Sequence, residues 1–417
     1  MSSPSEPSGP GDLSVPSGRT DPSGGSRGLR ILLTCRTLAR RTGSEAYTKD
    51  LAIGLRRRGF EPIVYAPEGG ELAHELKMAT VAVIDRLDRL AVLPDLIHGN
   101  HHPETITALL HYPDLPAINV CHAWNSEEAT PVHHPRVLRY VAVDVVCRDR
   151  LVQEEGIPPE RVRLLQNAVD LERFRPRGPL PGTPQRALVF SNYATEGSHL
   201  EVAAEACRRL GIAFEAIGSG VGRPVAAPER VLGTFDLVFG KARCALEALA
   251  VGAAVVLCDA TGTGPLVTPA NVAALRRENF GIRTILEPLE PEHLVREIRR
   301  YDPADAAAAS RFVRETAGLE PAIDDLVALY REVVEEFRAA PRDPLADARA
   351  VAEYLRRFAP SWRDTDLLRT RLAHAEAEAE RMRGELAGFR STMTWKLRNR
   401  LLRLKPLASG YRRLLGK

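Results

Sequence analysis

The segment DLVFGKARCALEALAVGAAVVLCDATGTG, residues 236–264, contains two short apolar runs on either side of a longer amphipathic run. The runs at 237–239 and 254–258 predict buried strands, and the run at 242–251 predicts a helix between them. Two buried strands joined by a helix form the βαβ unit of a parallel sheet. This segment therefore predicts an α/β fold.

The same alternation extends in both directions, from residue 29 to about residue 340. Further strands are predicted at 30–35, 62–66, 96–99, 117–121, 141–146, 162–165, 187–191 and 214–217. Further helices are predicted at 45–58, 200–210, 291–301, 303–316 and 322–338. The stretch 173–185 holds four prolines and two glycines and is the predicted linker. We therefore expect two Rossmann-like domains, 29–176 and 186–340, facing each other across a cleft.

The two ends of the chain have a different composition. Residues 1–28 are dominated by Ser, Pro and Gly, which predicts a disordered leader. Residues 345–394 carry apolar side chains at alternating steps of four and three, which predicts a short coiled coil or a helical hairpin. They are Leu368, Leu372, Ala375, Ala379, Met382, Leu386, Phe389 and Met393.

The last segment, 395–417, is predicted to be a basic amphipathic tail. Residues 391–417 carry eight Lys or Arg and no Asp or Glu, interleaved with Trp395, Tyr411 and several leucines. This composition suits a helix that lies on an anionic membrane, and it equally suits a helix packed on the enzyme body or on a partner. Without these eight charges the net charge of +3 would be about −5, which argues against a nucleic-acid-binding body.

Composition excludes several classes of protein. With 44% hydrophobic and 27% charged residues, the 417-residue chain has enough apolar material for globular cores, but no run approaches the length needed to cross a bilayer. The N-terminus lacks the layout of a secretory signal, so we expect a cytoplasmic protein, with the inner face of the cytoplasmic membrane as an alternative. The six cysteines are scattered singly, which predicts small buried side chains rather than a zinc site.

Three segments resemble the retaining glycosyltransferase family 4 (glycosyl transferases group 1), whose members have the GT-B fold. They are RTGSEAYTKDLAIGLRRRGFEPIVYAP at 41–67, LLQNAVDLERFRP at 164–176, and the segment 236–264. The shortened loop at the start of the third segment also resembles that of inverting GT-B enzymes that use UDP-GlcNAc. The resemblance implies a nucleotide-sugar donor (UDP-, GDP- or similar) as substrate, and neither a cofactor nor a metal.

Donor-binding residues are expected in the C-terminal half. Glu247 falls where the family's ribose-binding glutamate does, and a carboxylate is suited to accept hydrogen bonds from a ribose diol; the alternative is a solvated helix charge. Gly262, Thr263 and Gly264 follow a predicted strand, and a helix is expected just beyond them, so backbone N–H groups there could bind phosphate. An ordinary turn would have the same sequence.

On the opposite half, Gly43, Ser44 and Glu45 open the first predicted helix and form a candidate loop for the acceptor and the diphosphate; a simple capped helix start is the alternative. His122 follows a predicted strand directly and matches the family histidine that meets the donor sugar, so we expect it to contact or polarise the sugar. His101 and His102 are secondary candidates. Although histidines cluster here, no carboxylate or cysteine accompanies them at ligand spacing, so no metal site is expected.

The sequence also departs from the family pattern. The family places an Arg and a Lys after the first strand of the C-terminal domain, where this chain has SNYATEG at 191–197, with Glu196 in place of the Lys. A second family glutamate is replaced by Phe239. Because a leaving diphosphate needs cations, Lys241 and Arg243 are the expected substitutes, with Arg223 a third. For Arg243, an exposed helix face is the alternative.

Together these features predict a hexosyl-type glycosyltransferase whose donor binds at 186–340 and whose acceptor, a glycan or a lipid-linked sugar, binds at 29–176. Surface polysaccharide or glycolipid assembly would suit the coiled coil and basic tail, and the coiled coil could form a homo-oligomer. Two other functions stay open: a nucleotide-sugar epimerase, and a non-catalytic scaffold of the same fold, which the lost Arg, Lys and first Glu would favour.

Overall fold

The computed structural model describes residues 28–391, which form two sheets covered by helices. The strands are β1 (Arg30–Thr34), β2 (Glu61–Tyr65), β3 (Ala82–Ile84), β4 (Leu96–Gly99), β5 (Ala117–Cys121), β6 (Val137–Ala142), β7 (Val162–Leu164), β8 (Arg186–Phe190), β9 (Ala213–Ile217), β10 (Leu237–Gly240), β11 (Ala254–Asp259) and β12 (Gly262–Leu266). The helices are α1 (Gly43–Arg57), α2 (Glu71–Met78), α3 (His102–His111), α4 (Val145–Asp149), α5 (His199–Leu210), α6 (Pro228–Leu232), α7 (Ala242–Val251), α8 (Val272–Arg277), α9 (Pro291–Ile298), α10 (Pro303–Thr316), α11 (Leu319–Ala339) and α12 (Pro344–Ser391).

The first sheet has the strand order β3-β2-β1-β4-β5-β6-β7, and its strands are parallel. The second has the order β12-β11-β10-β8-β9 and is parallel except for β12, which runs antiparallel to β11. Below, the N-terminal half means the part of the chain that carries β1–β7, and the C-terminal half the part that carries β8–β12. The predicted α/β architecture with two sheets is confirmed.

The central strands of the second sheet are apolar along most of their length because helices cover both faces of that sheet. Val238, Val255 and Leu257 pack on one face, where the core includes residues of α7 and α10. Their neighbours along the strands point to the opposite face, where the core includes residues of α5 and α9. A strand buried on both faces has no polar side to alternate with, and for this reason 254–258 is an unbroken apolar run.

Several strands and one helix differ from the sequence-based expectations. Strand β6 lies at Val137–Ala142 rather than 141–146, because the side chain of Asp144 accepts a hydrogen bond from the Cys147 N–H and caps α4 at that point. Strand β3 and strand β12 were not expected. The helix expected just beyond Gly264 is also wrong, since 262–266 is strand and the next helix begins at Val272.

The chain divides into two compact units, one ending at Asp347 and one beginning at Ala348. Both sheets lie in the first unit. The 48-residue helix α12 continues into the second, where Leu368, Leu372, Met382 and Leu386 are each more than half exposed. The coiled coil stays a prediction. The predicted leader, but for residue 28, and the predicted basic tail lie outside the described residues.

Candidate functional site

The turn between β10 and α7 places two charged side chains in the space between the sheets. Ala242 has a φ of 48°, a left-handed conformation that costs energy for a residue with a Cβ, and its N–H donates to the Phe280 carbonyl at 2.8 Å. The helix that starts here carries Arg243 and Glu247 one turn apart. The Arg243 Nε donates to Glu247 Oε1 at 2.7 Å.

Arg243 also bonds to the opposite half of the molecule. Its Nη2 contacts Oδ2 of Asp50 on α1, and Oδ1 of Asp50 accepts a second hydrogen bond from Arg173 Nη1 at 2.7 Å. The side chains of Asp50 and Glu247 are only 6% exposed, and that of Arg243 is 15% exposed. Arg243 therefore does not lie on an exposed helix face, and the candidate ribose ligand Glu247 is held in a buried ion network.

Burial and charge shift the two carboxylates of this network in opposite directions. Burial raises the pKa of Glu247 above its usual value, and Asp50 adds to the rise while Arg243 and Arg173 oppose it. Burial also acts to raise the pKa of Asp50, but Arg243, Arg173 and Lys49 outweigh it and lower that pKa. Asp50 is therefore the firmly ionised member of the pair.

A cavity of about 480 Å³ opens beside this network. It is lined by residues of α1 and α2 from one half and, from the other, by residues around the start of α6, namely Ala226, Ala227, Glu229 and Arg230. Asp50 and Arg173 belong to its wall, whereas Arg243 and Glu247 do not. Asp50 thus connects the wall of the cavity to Arg243, and through Arg243 to the Glu247 carboxylate.

Lys241, the second candidate cation for phosphate, is paired as well. Its Nζ contacts Oδ2 of Asp259, at the carboxyl end of β11, and its side chain is 33% exposed. His199, at the start of α5, lies within the electrostatic influence of both Lys241 and Asp259. Burial and the charge of Lys241 lower the pKa of its ring, while the charge of Asp259 acts to raise it. Neither ring nitrogen of this buried histidine has a hydrogen-bond partner among residues 28–391.

His122 is held in one tautomer by its neighbours. Asn100 donates its Nδ2 to the Thr34 carbonyl at 2.8 Å and to Thr48 Oγ1 at 3.2 Å, which turns its Oδ1 towards His122 Nε2, 2.8 Å away. Nε2 must then carry the proton, and Nδ1 is left as an acceptor. Burial, together with His101, His98 and Arg243, lowers the pKa of His122 well below 6.5. The ring is therefore neutral at pH 7 and suited to accept a hydrogen bond.

The candidate loop at the start of α1 lies next to these histidines. Ser44 Oγ is 3.2 Å from His101 Nε2 and donates to Glu45 Oε2 at 3.2 Å. Burial raises the pKa of Glu45, and burial with Arg36 lowers that of His101 to about 4. The N-cap of α1 is Thr42, without a side-chain capping bond, so Ser44 does not cap the helix. A Cβ at Gly43 would meet no neighbouring atom, so glycine is not required sterically.

The remaining candidates lie apart from this group. Thr263 is buried and exchanges backbone hydrogen bonds with Glu287, and a Cβ on Gly264 would meet the Thr284 carbonyl at 2.4 Å. Gly262 and Gly264 thus allow the 284–288 segment to pack closely on β12. Gly262 also pairs with Asp259, the residue that Lys241 contacts. Arg223 is 60% exposed in the turn after β9, 3.6 Å from Glu215. His102 is buried as the first residue of α3.

Sequence reasoning missed the acidic partners Asp50 and Asp259. Asp259 ends an apolar strand, and a carboxylate at the carboxyl end of a parallel strand is a signal that could have been followed. No sequence feature marks Asp50 in this way. It lies within the predicted helix between Lys49 and Leu51, where a charged residue is ordinary. As for metals, among residues 28–391 no group of three or more His, Cys, Asp or Glu side chains is placed to hold an ion.

Residues 41–173 match the family model described as Glycosyltransferase Family 4, which confirms the predicted resemblance. The match spans the α1 loop and His122. No curated protein matches the chain in sequence.

Solved structures match over nearly their whole length. A glycosyltransferase from Rickettsia africae aligns with a TM-score of 0.56 and 16% identity, covering 74% of this chain and 99% of its own. HepE from Anabaena, solved with UDP and glucose, aligns with a TM-score of 0.52 and 15% identity, covering 72% and 99% of the two chains. Its complex with UDP-glucose aligns with a TM-score of 0.52 and 17% identity, covering 73% and 99%. Likeness at such low identity establishes the fold.

Proposed function

We propose that this chain, which has the GT-B fold and matches Glycosyltransferase Family 4 over residues 41–173, transfers a hexosyl-type sugar from a nucleotide-activated donor to an acceptor hydroxyl. The observation that carries the proposal is the buried carboxylate of Glu247 on α7, in the C-terminal half. In the N-terminal half, the neutral ring of His122 follows β5. A carboxylate is costly to bury unless it is paired, and Arg243 is the partner that the hydroxyls of a bound donor would replace.

In this proposal the C-terminal half binds the donor. Glu247 accepts hydrogen bonds from the ribose diol, and Lys241 and Arg243 face the diphosphate, whose charge grows as the sugar leaves. Each cation must first exchange its present carboxylate, Asp259 or Asp50, for a phosphate. For Gly262 and Thr263 we propose no direct contact with the donor; they lie beside Asp259 on the neighbouring strand. Because HepE binds UDP and UDP-glucose, UDP-sugars are the first donors to test.

The N-terminal half binds the acceptor and completes the site. His122 Nδ1 accepts a hydrogen bond from a sugar hydroxyl, which orients the sugar for attack by the acceptor. Gly43, Ser44 and Glu45, with His101 behind Ser44, line the approach of the acceptor. The acceptor is a glycan or a lipid-linked sugar of surface polysaccharide or glycolipid assembly, a proposal that rests on the sequence of the coiled-coil segment and basic tail.

The test is nucleotide release from a panel of UDP-, GDP-, ADP- and TDP-sugars with glycan and lipid-linked acceptors. We expect acceptor-dependent release with one donor base. Glu247→Ala should weaken binding of that donor at least about tenfold, the effect of losing a hydrogen bond to a charged group. Glu292→Ala is the matched control, because Glu292 is an exposed helical carboxylate of the same half. Unchanged donor affinity in Glu247→Ala would remove the central assignment.

A second candidate, a non-catalytic scaffold, is favoured by two observations. Lys241 and Arg243 are both paired with carboxylates, and Glu196 stands where the family has Lys. Tight nucleotide binding without turnover would support it. Sugar interconversion without acceptor would instead support the epimerase.

Membrane association belongs to the same proposal. Among residues 28–391 there is no helix with the length and apolarity to span a bilayer. We propose that the basic tail, 395–417, attaches the protein peripherally to the inner face of the cytoplasmic membrane. Sedimentation with anionic vesicles should fall when this tail is deleted, and equal sedimentation of both forms would contradict the proposal.

A further inference from the structure

In the proposed transfer Asp50 contacts neither donor nor acceptor and only releases Arg243, yet its carboxylate bonds to charged groups of both halves. It contacts Arg243 of the C-terminal half, accepts from Arg173 at 2.7 Å, and lies 3.9 Å from Lys49. We use the name cross-sheet clasp for the three side chains Asp50, Arg243 and Glu247. The clasp joins helices α1 and α7 of the two halves through a single guanidinium.

Other polar bridges also join the halves. Close in sequence to the predicted linker, Gln166 donates to the Arg276 carbonyl at 2.5 Å and Arg276 donates to the Asn167 carbonyl at 2.7 Å. Two bridges farther from the linker are weaker than the clasp. Asn192 Nδ2 donates to the Arg41 carbonyl at 2.8 Å, and Arg283 pairs with Asp149 at 2.5 Å with side chains 46% and 28% exposed. An exposed ion pair contributes little to stability, because solvent screens the two charges. Removing one partner of a buried pair costs more, because a charge is left without solvent or partner. The clasp is therefore the bridge that matters most among these three.

The position of the clasp also matters for access. Asp50 and Arg173 form part of the wall of the 480 Å³ cavity, whereas Glu247 does not line it and is bonded through its Oε1 to Arg243 Nε. A nucleotide that reaches Glu247 from this cavity has to displace the guanidinium. The displacement does not strand Asp50, because Arg173 and Lys49 remain beside it.

We propose that Asp50 is a positioning residue that controls the donor site from the opposite half: without ligand it holds Arg243 against Glu247 and keeps the two halves closed. Nucleotide binding transfers Glu247 from Arg243 to the ribose and frees Arg243 for the diphosphate. The identity of the ligand rests on the proposed function, whereas the closure of the ligand-free protein does not.

The test compares Asp50→Asn with wild type in two measurements. Small-angle X-ray scattering without ligand should give a larger radius of gyration for Asp50→Asn, because the buried bridge is lost. Stopped-flow binding should show UDP associating at least about fivefold faster, since a larger share of molecules is open. Asp50→Glu restores the charge and should restore both values towards wild type.

Asp149→Asn is the matched control, because it removes the exposed bridge between the same halves and should change neither value. If Asp50→Asn fails to fold, Arg243→Met removes the other end of the bridge and should enlarge the ligand-free protein in the same way. An unchanged radius of gyration in the folded variant overturns the proposal. If wild-type protein binds no nucleotide, both the proposed function and the release of Arg243 by nucleotide are wrong. The scattering measurement still tests whether Asp50 keeps the two halves closed without ligand.

Discussion

At the scale of single residues, one guanidinium serves two carboxylates that respond differently to burial. Asp50 has three cationic neighbours, Arg243, Arg173 and Lys49, so its pKa is lowered although burial acts against this. Glu247 shares Arg243 with Asp50 and feels the Asp50 charge, so burial prevails and its pKa is raised. The charged form of Asp50 stabilises the fold, and the charged form of Glu247 costs folding free energy.

Replacing Glu247 by Gln should therefore change stability in a pH-dependent way. A carboxyl whose folded pKa lies above its unfolded pKa loses its contribution to stability as pH rises through the folded value. Glu247→Gln carries no charge at any pH, so its Tm relative to wild type should rise between pH 5 and pH 8. Thermal unfolding followed by circular dichroism at four pH values measures this.

Asp50→Asn serves as the contrasting variant. This variant removes a buried carboxylate that Arg243, Arg173 and Lys49 share, while each of these cations keeps one other carboxylate partner. It should destabilise the protein by about 1 to 3 kcal/mol at neutral pH, the effect of lost hydrogen bonds to charged groups. Because the folded pKa of Asp50 is lowered, this deficit should shrink as pH falls through that value. If Glu247→Gln instead loses stability relative to wild type with rising pH, the raised pKa of Glu247 is wrong.

His122→Gln should reduce kcat/KM for sugar transfer about tenfold, the effect of one hydrogen bond worth about 1.4 kcal/mol. UDP affinity should stay unchanged, because UDP lacks the sugar that the ring is proposed to contact. Since the pKa of His122 lies well below 6.5, the ratio of wild-type to variant activity should be constant from pH 6 to 8. His111→Gln, an exposed histidine on α3, is the control, and a ratio that varies tenfold over this range would contradict the neutral ring.

At the scale of elements, hydrophobic periodicity located α7 and α10 with their observed bounds, and β4 and β5 as well. It failed at 262–266, where Gly, Thr and Pro suggested a turn before a helix. That strand exists because β11 and the 284–288 segment flank it, and its glycines let the 284–288 backbone approach. Neither neighbour is visible in a local sequence window.

The apolar seam of α12 is expected to pair with a second copy of the chain. Leu372 and Leu386 are 59% and 51% exposed, and they belong to the regular steps of four and three that coiled coils require. Light scattering after size exclusion should give a dimer for wild type and a monomer for the double variant Leu372→Glu, Leu386→Glu. The double variant Ala373→Glu, Ala387→Glu adds the same charge beside the seam and should stay dimeric. A wild-type monomer would contradict the coiled coil.

At the scale of the whole molecule, both sheets and every described candidate residue precede Asp347, where the first compact unit ends. A chain cut after Asp347 should therefore keep its Tm and bind UDP within about twofold of the full chain. Calorimetry of both forms measures this. A cut after Ala340 is the informative comparison, because it removes Asp347, whose Oδ2 accepts from the buried Arg136 Nε at 2.8 Å. That shorter chain should lose about 1 to 3 kcal/mol of stability, and equal stability would contradict a structural role for the contact.

The sequence by itself determined the α/β architecture, the order of most strands and helices, the placement of Glu247 on the helix after β10, and that of His122 directly after β5. These features depend on apolar runs and on neighbours along the chain, which are local in sequence. Only the tertiary structure decided which charges meet, because Asp50 and Arg243 are 193 residues apart and a contact over that separation leaves no local pattern. Burial and the surrounding charges then decided that the pKa of Glu247 is raised and that of Asp50 lowered, since the number of cations around each carboxylate depends on how the two halves pack.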